Sequence, residues 1–291
     1  MNNKNDIEQL FNEVVEAPNG IDRIRRFVLG LAVQGRLSLS DASPEPATEL
    51  LERISKEKNR LLESGKIKKP KNHKHKSEPP FQAPPNWAWA RLGEISSYIQ
   101  RGKSPVYADG DGVPVISQKC VQWSGLDLSR AKNVTYESLD KYESIRFLKE
   151  GDLLWNSTGT GTIGRVVRVD SPSSNLICDS HVTVVRCIFV ESEFIRIWLR
   201  SDYVYGLIEE RAAGSTNQVE LTAQLANDQI VPIPPLEEQR RIVDITRDLM
   251  TRLDELDRVM REEREVRSRL LDALIHETLN NPSVRHEEAA E

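Results

Sequence analysis

Leu153-Leu154-Trp155-Asn156-Ser157-Thr158-Gly159-Thr160-Gly161-Thr162-Ile163-Gly164-Arg165-Val166-Val167-Arg168-Val169 is the stretch on which the fold turns. It holds a G-x-G-x-x-G pattern at Gly159, Gly161 and Gly164, directly after an apolar run. In a dinucleotide-binding unit those glycines sit where a strand turns into a helix, so that a pyrophosphate meets the N–H groups of the helix N-terminus. Here the glycines lead into Arg165–Val169 and then Asp170-Ser171-Pro172. Three valines between positions 166 and 169 favour a strand, because β-branched side chains lose rotamer freedom in a helix. The segment therefore reads as a β-hairpin with a polar tip. Asp179 stands where a ribose-binding acid would, but without the helix that spacing carries no information.

The same texture extends outward. From Asn86 to Pro235 short β-rich runs alternate with turns: Val113–Ser117, Asp152–Trp155, Arg165–Val169 and His181–Phe189. A helical stretch from Glu191 to Ala212 carries Phe194, Ile195, Trp198, Leu199, Val204, Leu207 and Ile208. This predicts one mixed α+β domain over residues 86–235. Residues 1–65 read as a helical region, broken at Pro18-Asn19-Gly20, with a further helix opening near Pro46 and stopping at Gly65. Residues 66–85, rich in lysine and then proline, form a basic linker: a solvated tether or a phosphate contact. Residues 236–280 follow Pro234-Pro235, open on Leu-Glu-Glu-Gln and continue without proline or glycine. Ile242, Ile245, Leu249, Leu253, Leu256, Met260, Val266, Leu270 and Leu274 follow a near-heptad rhythm along them. A lone helix of that kind leaves its seam in water, so a coiled coil is expected, locally unwound where two four-residue steps separate Ile245 from Leu253. Residues 281–291 read as a disordered tail.

Composition narrows the function classes. With 291 residues, 38% hydrophobic and 29% charged, the chain has the make-up of a soluble protein with a real core. No run approaches a membrane span and MNNKNDIEQL lacks a signal peptide's apolar stretch, so a cytoplasmic location is expected. Cys120, Cys178 and Cys187 lack metal-ligand spacing and read as reduced thiols in or near strands. A net charge of −5 gives no global sign of nucleic-acid binding, so any basic surface must be local. Neither H-E-x-x-H nor a P-loop occurs. His181 in Cys178-Asp179-Ser180-His181 invites a triad, but adjacent strand positions face opposite ways; a packed, hydrogen-bonded or DNA-contacting histidine is the expectation.

Five stretches, in order, carry a resemblance: Leu31-Ala32-Val33-Gln34-Gly35-Arg36-Leu37; Glu49–Ile54 with Glu57-Lys58 and Gly65–Lys69; Asn86-Trp87-Ala88-Trp89-Ala90-Arg91-Leu92-Gly93-Glu94-Ile95; Gly151-Asp152-Leu153-Leu154; and Pro232–Val243. Together they resemble the specificity subunits of Type I restriction-modification systems. The resemblance implies a non-catalytic target-recognition domain over 86–235, flanked by the N-terminal helical region and a spacer helix. A full member has two such domains and two spacer helices paired antiparallel; this chain looks like a half-length form. The missing helix is then supplied by a second copy, giving a homodimer that reads a bipartite, palindromic target, or residues 1–65 fold back instead. Seam residues for the partner helix are Ile242, Leu249, Leu253, Leu256, Met260, Leu270 and Leu274. Implied partners are double-stranded DNA, methyltransferase subunits and a motor-nuclease subunit. S-adenosylmethionine, ATP and Mg²⁺ would sit on those partners, with no cofactor and no metal in this chain. The alternative is a truncated or decoy subunit that binds methyltransferase partners without productive DNA reading.

Sequence readout requires amide, hydroxyl and basic groups on projecting loops. Candidate DNA-binding residues are Arg101, Lys103, Ser104 and Tyr107 in one loop; Asn156, Ser157, Thr158 and Thr160 in the opening hairpin; Arg211, Ser215, Thr216, Asn217 and Gln218 in a third; and Gln118 and Lys119, beside Gln122 and Trp123, in a fourth. The same residue types also make ordinary solvated turns. Trp87, Trp89, Trp155 and Trp198 are expected in packing.

Overall fold

The computed structural model describes residues 11–37 without 12 and 16, 45–68, 78–214 without 109, 141, 173 and 174, and 220–280. Its elements run α1 (Gly20–Val33), α2 (Ala47–Glu63), β1 (Ala88–Arg91), β2 (Ser96–Arg101), β3 (Val113–Ile116), β4 (Val121–Gln122), β5 (Gly125–Leu126), β6 (Lys132–Val134) and α3 (Tyr136–Leu139). They continue with β7 (Leu153–Asn156), β8 (Val166–Arg168), β9 (Ile177–Cys178), β10 (Val182–Cys187), α4 (Ser192–Arg200), a π-helical turn (Asp202–Gly206), α5 (Leu207–Gly214), α6 (Ala223–Asp228), β11 (Ile230–Ile233) and α7 (Leu236–Asn280). This is the α+β class expected, with an N-terminal helical region and a long C-terminal helix. Residues 26–246 form one compact unit; residues up to 25 and from 247 onward form another.

In the larger unit, β7 and β8 pair antiparallel, Leu154 opposite Val167, so the glycine stretch is the hairpin its valines predict. The hairpin joins an antiparallel sheet of order β2-β10-β7-β8. All four residues of β7 are buried, as are the first four of β10, so these central strands lack the alternation of a half-exposed strand. Tyr98, Leu154, Val167, Val182 and Val184 share a core cluster with Ile116 of the second sheet, whose order is β6-β3-β9 with β3 and β9 parallel. α4 packs against β8 and buries Phe194, Ile195, Trp198 and Leu199.

The helical stretch expected from Glu191 to Ala212 is divided at Ser201. That residue is extended, with ψ 161°, and its hydroxyl donates to the Trp198 carbonyl at 2.7 Å, capping the last turn of α4. The π-helical turn follows, and its Tyr203 ring stacks on Trp198 at 5.7 Å and 15°. Tyr203 also accepts from Gln34 Nε2 at 2.6 Å, and Asp202 from Arg26 Nε at 2.7 Å, which ties the N-terminal motif to this turn.

β1 pairs antiparallel with β11, from Ala88 opposite Ile233 to Arg91 opposite Ile230. The pair closes the domain on itself, and the two-stranded sheet tolerates Pro232 because each strand is an edge. Gln239, fully buried in the first turn of α7, accepts from Glu191 N at 2.9 Å and donates to the Pro234 carbonyl at 2.8 Å.

Asp152 supplies the other buried polar anchor. Its carboxylate takes Arg186 Nε and Nη2 at 2.7 Å each and the Lys149 N–H at 2.8 Å, with no side-chain exposure. Arg186 also donates to the carbonyls of Ile145 and Phe147 and lies 5.5 Å from the Tyr98 ring centre.

In the smaller unit, Arg25 donates to Asp22 and Asp254 at 2.7 Å, and Val15, Ile21 and Leu253 are buried. Beyond Leu256 most large apolar residues of α7 are open: Val259, Val266, Leu270, Leu271, Leu274, Ile275 and Leu279 are 47% to 64% exposed. The expected seam therefore divides. Ile242 and Leu253 are buried within the chain and Leu249, Leu256 and Met260 are partly covered, whereas Leu270 and Leu274 are open. The sequence rhythm counts apolar positions but not which of them the chain's own packing has already consumed. The tail 281–291 and linker residues 69–77 lie outside the described residues.

Candidate nucleic-acid interface

Sheet register builds the site. Arg101 ends β2 opposite Thr183 of β10, and Asn156 ends β7 opposite Val182. The three strands therefore finish side by side, with Gly102 N donating to the Val182 carbonyl and Ser157 N to the His181 carbonyl. Leu221 N donates to the Ser157 carbonyl at 2.8 Å and brings Glu220 to the same edge. Arg101, Thr158, Ser180, His181 and Glu220 line a cleft of about 270 Å³.

Within it, Thr158 Oγ1 and His181 Nδ1 share a 2.7 Å hydrogen bond, leaving Nε2 as the ring's other polar atom. Ser104 Oγ bonds Ser180 Oγ at 3.2 Å. Arg101 forms an ion pair with the Glu220 carboxylate through Nη1, while its Nε is buried without a hydrogen-bond partner. Asp179 lies below the rim and accepts from His181 N at 2.8 Å. Burial pushes its carboxyl up from the ordinary value, partly offset by that bond and by the charge of Arg101. The carboxylate thus holds the backbone of His181 rather than its ring, and Ser180 is engaged by Ser104, so no Ser-His-Asp relay is assembled.

The hairpin tip is braced against the turn after β3. Asn156 Nδ2 donates to the carbonyls of Gln118 and Thr162, and Ser157 Oγ shares a 2.5 Å bond with Thr183 Oγ1. Arg165 bonds Gln122 Oε1 at 2.9 Å and the Gly161 carbonyl at 2.7 Å. Gly159, at φ +105°, is in a conformation side chains disfavour, and a Cβ there would lie 2.1 Å from Gln118 Oε1, so that side chain would have to move. Gly164, at φ +82°, sets its Cα against the Tyr205 ring in the same way. The G-x-G-x-x-G pattern thus serves left-handed backbone and, at Gly159 and Gly164, close approach, and it joins two strands instead of leading from a strand into a helix.

The candidate residues separate accordingly. Asn156 and Ser157 are fully buried and brace the loop instead of facing solvent. Thr158 is nearly buried at the cleft wall, and Thr160 is exposed at the tip. Arg101 belongs to strand β2 and not to a loop. Ser104, Lys103 and Tyr107 are exposed beyond it; Lys103 Nζ lies 5.6 Å from the Tyr142 ring centre and Lys132 Nζ 5.1 Å from that of Tyr107. Gln118 and Lys119 neighbour the hairpin, with Lys119 exposed. Arg211 falls in α5, and Ser215, Thr216, Asn217 and Gln218 lie outside the described residues. Ser180 and Glu220 enter the cleft without having been singled out for it, and His181, expected to be packed, hydrogen-bonded or in contact with DNA, is hydrogen-bonded to Thr158 there. For Glu220 no local signal exists, because it meets Arg101 across 119 positions of chain. Trp155 and Trp198 are buried and Trp87 nearly so; Trp123 is partly exposed and edge-on to Tyr205.

A mixed α+β domain gathers hydroxyl, imidazole and opposite charges into a cleft where its strands end, and the chain continues into a long helix. The family model of the Type I restriction modification DNA specificity domain matches residues 84–263, and the chain belongs to that family. It is 26% identical over 285 residues to the Escherichia coli Type I restriction enzyme EcoEI specificity subunit, covering 94% of this chain and 48% of that protein. It is 27% identical over 291 residues to the EcoAI specificity subunit of the same organism, covering 94% and 47%. The chain thus spans about half the length of the curated relatives it matches. A chain solved in work on complex assembly and conformational transition of the type I R-M system superposes with a TM-score of 0.52 at 19% identity, covering 88% of this chain and 56% of that one, a likeness of fold. No described helix is long and apolar enough to cross a membrane.

Proposed function

We propose that this chain is a non-catalytic DNA-reading subunit of a Type I restriction-modification complex, acting as a symmetric dimer. One observation carries the reading: a domain of a DNA specificity family continues into a helix most of whose large apolar residues stay open from Val259 to Leu279. Seven exposed large apolar residues on one helix, Val259, Val266, Leu270 and Leu274 forming one stripe and Leu271, Ile275 and Leu279 beside it, are unstable in water and call for a partner surface. The charges favour a second copy of the same helix, antiparallel. Residues 258–269 carry five arginines and three glutamates, whereas 270–280 carry Asp272 and Glu277 with no lysine or arginine. Antiparallel copies set the positive half of one against the negative half of the other; parallel copies set like against like. Exposed pairs contribute little stability each, so this pattern selects direction while the apolar side supplies the affinity.

Two identical domains related by a two-fold axis would read a gapped palindrome, and methyltransferase and motor-nuclease subunits would supply the chemistry. S-adenosylmethionine, ATP and Mg²⁺ would belong to those subunits, and the hairpin glycines, which lead from strand to strand, offer no nucleotide cradle. Co-expression with the cognate methyltransferase and mapping of methylated adenines tests the function: a gapped palindrome supports the dimer, an asymmetric motif refutes the symmetry, and no motif refutes the function. In solution the wild type should have twice the 33.1 kDa mass of one chain. Leu270→Glu with Leu274→Glu should halve that mass with the domain's melting unchanged; a wild-type monomer refutes the dimer.

A further inference from the structure

We propose that Glu220 is a specificity-determining residue, whose carboxylate holds Arg101 in the free protein and on DNA accepts a hydrogen bond from the exocyclic amine of a cytosine or adenine. The inference rests on the DNA-reading function proposed above and names one contact within it.

Attraction between cations and phosphates is blind to sequence and supplies most non-specific affinity. An unmasked arginine at a recognition edge would therefore tighten binding to every duplex alike. In this cleft Arg101 is masked: its Nη1 is paired with Glu220, whose side chain is half exposed, while the arginine itself is about three-quarters covered. A phosphate entering the cleft meets a neutral pair with the carboxylate on the more exposed side, and gains nothing there. The pair opens only for a partner that satisfies the carboxylate.

An ionised carboxylate accepts hydrogen bonds and donates none. Among major-groove base edges, only cytosine N4 and adenine N6 donate, whereas the guanine and thymine oxygens would repel it. Once Glu220 turns to such an amine, Arg101 is freed for a neighbouring guanine O6/N7 or a phosphate, and its unpartnered Nε gains an acceptor. His181 and Ser180 flank the pair with groups that serve as donor or acceptor by rotation or tautomer, so Glu220 is the fixed acceptor of the cleft and Arg101 its fixed donor.

The test uses the assembled methyltransferase complex, the duplex identified by methylation mapping, a random duplex of equal length, and target duplexes changed one base pair at a time. Glu220→Gln keeps the shape and removes the charge. It should raise affinity for the random duplex several-fold, steepen the salt dependence by about one ion and lower the target-to-random ratio about tenfold. The penalty for mismatch should fall at one C·G or A·T pair and persist elsewhere. Adding Arg101→Gln should return random-duplex affinity to the wild-type level without restoring discrimination. Unchanged melting and assembly of the Glu220→Gln complex exclude a folding defect. Discrimination equal to wild type, or a uniform loss at all positions, overturns the assignment of Glu220 alone. A wild-type complex that binds target and random duplex equally overturns the DNA-reading function, and this contact with it.

Discussion

Replacing Asp152 with alanine should cost the larger unit more stability than loss of any exposed ion pair. The carboxylate is completely buried, Arg186 is 14% exposed, and two 2.7 Å bonds join them side by side. Asp152→Ala leaves that guanidinium inside the protein with only carbonyls and the Tyr98 ring for company. Breaking a buried pair from one side costs about 3–5 kcal/mol, and the abandoned Lys149 N–H adds about 1 kcal/mol. For a unit of this size each kcal/mol moves the melting temperature by about 2–4 °C, so a fall of about 10 °C or more is expected. Thermal and urea unfolding, followed through the buried Trp155 and Trp198, measure it. Asp152→Leu with Arg186→Met removes both charges and should recover most of the loss. A loss under about 1 kcal/mol for Asp152→Ala, or a double variant no better than the single, refutes the view that this pair anchors the domain. A normally melting Asp152→Ala protein that no longer distinguishes DNA sequences would move the Gly151-Asp152-Leu153-Leu154 motif from folding to recognition.

Gln239→Ala should cost about 2–4 kcal/mol by stranding the Glu191 N–H and the Pro234 carbonyl, and Gln239→Glu, which buries a carboxylate against that carbonyl, should cost at least as much; urea midpoints decide, and midpoints equal to wild type refute the clamp. Burial pushes the Cys187 thiol up to about 12. The folded state therefore holds this proton more tightly than the unfolded chain, whose thiol ionises near about pH 8.5, so its contribution is full below that pH and lost between about 8.5 and about 12. Cys187→Ala should flatten the fall of melting temperature across that window, and an unchanged profile refutes the assignment.

The residue pattern alone pointed to the hairpin, because Val166 and Val167 following the glycines favour a strand over the helix a nucleotide site requires. It also located both helical ends and the order of the segments, since hydrophobic period and proline or glycine breaks are local quantities. Other features depended on distant partners. The pairing of Ala88–Arg91 with Ile230–Ile233 joins segments too short to announce themselves, and the break at Ser201 rests on a hydroxyl choosing the Trp198 carbonyl over continued helix. The seam residues looked equivalent along α7, yet Ile242 and Leu253 are used inside the chain while Leu270 and Leu274 are left open. Asn156 and Ser157 have the chemistry of base readers, but the end of β7 turns them inward, onto the Gln118 and Thr162 carbonyls and the Thr183 hydroxyl. The cleft itself is a product of strand register: Arg101, Thr158, His181 and Glu220 meet only because three strands end together and the Leu221 N–H reaches the Ser157 carbonyl. Periodicity is written along the chain, whereas burial and charge pairing belong to residues far apart in it, and folding alone decides which of them meet.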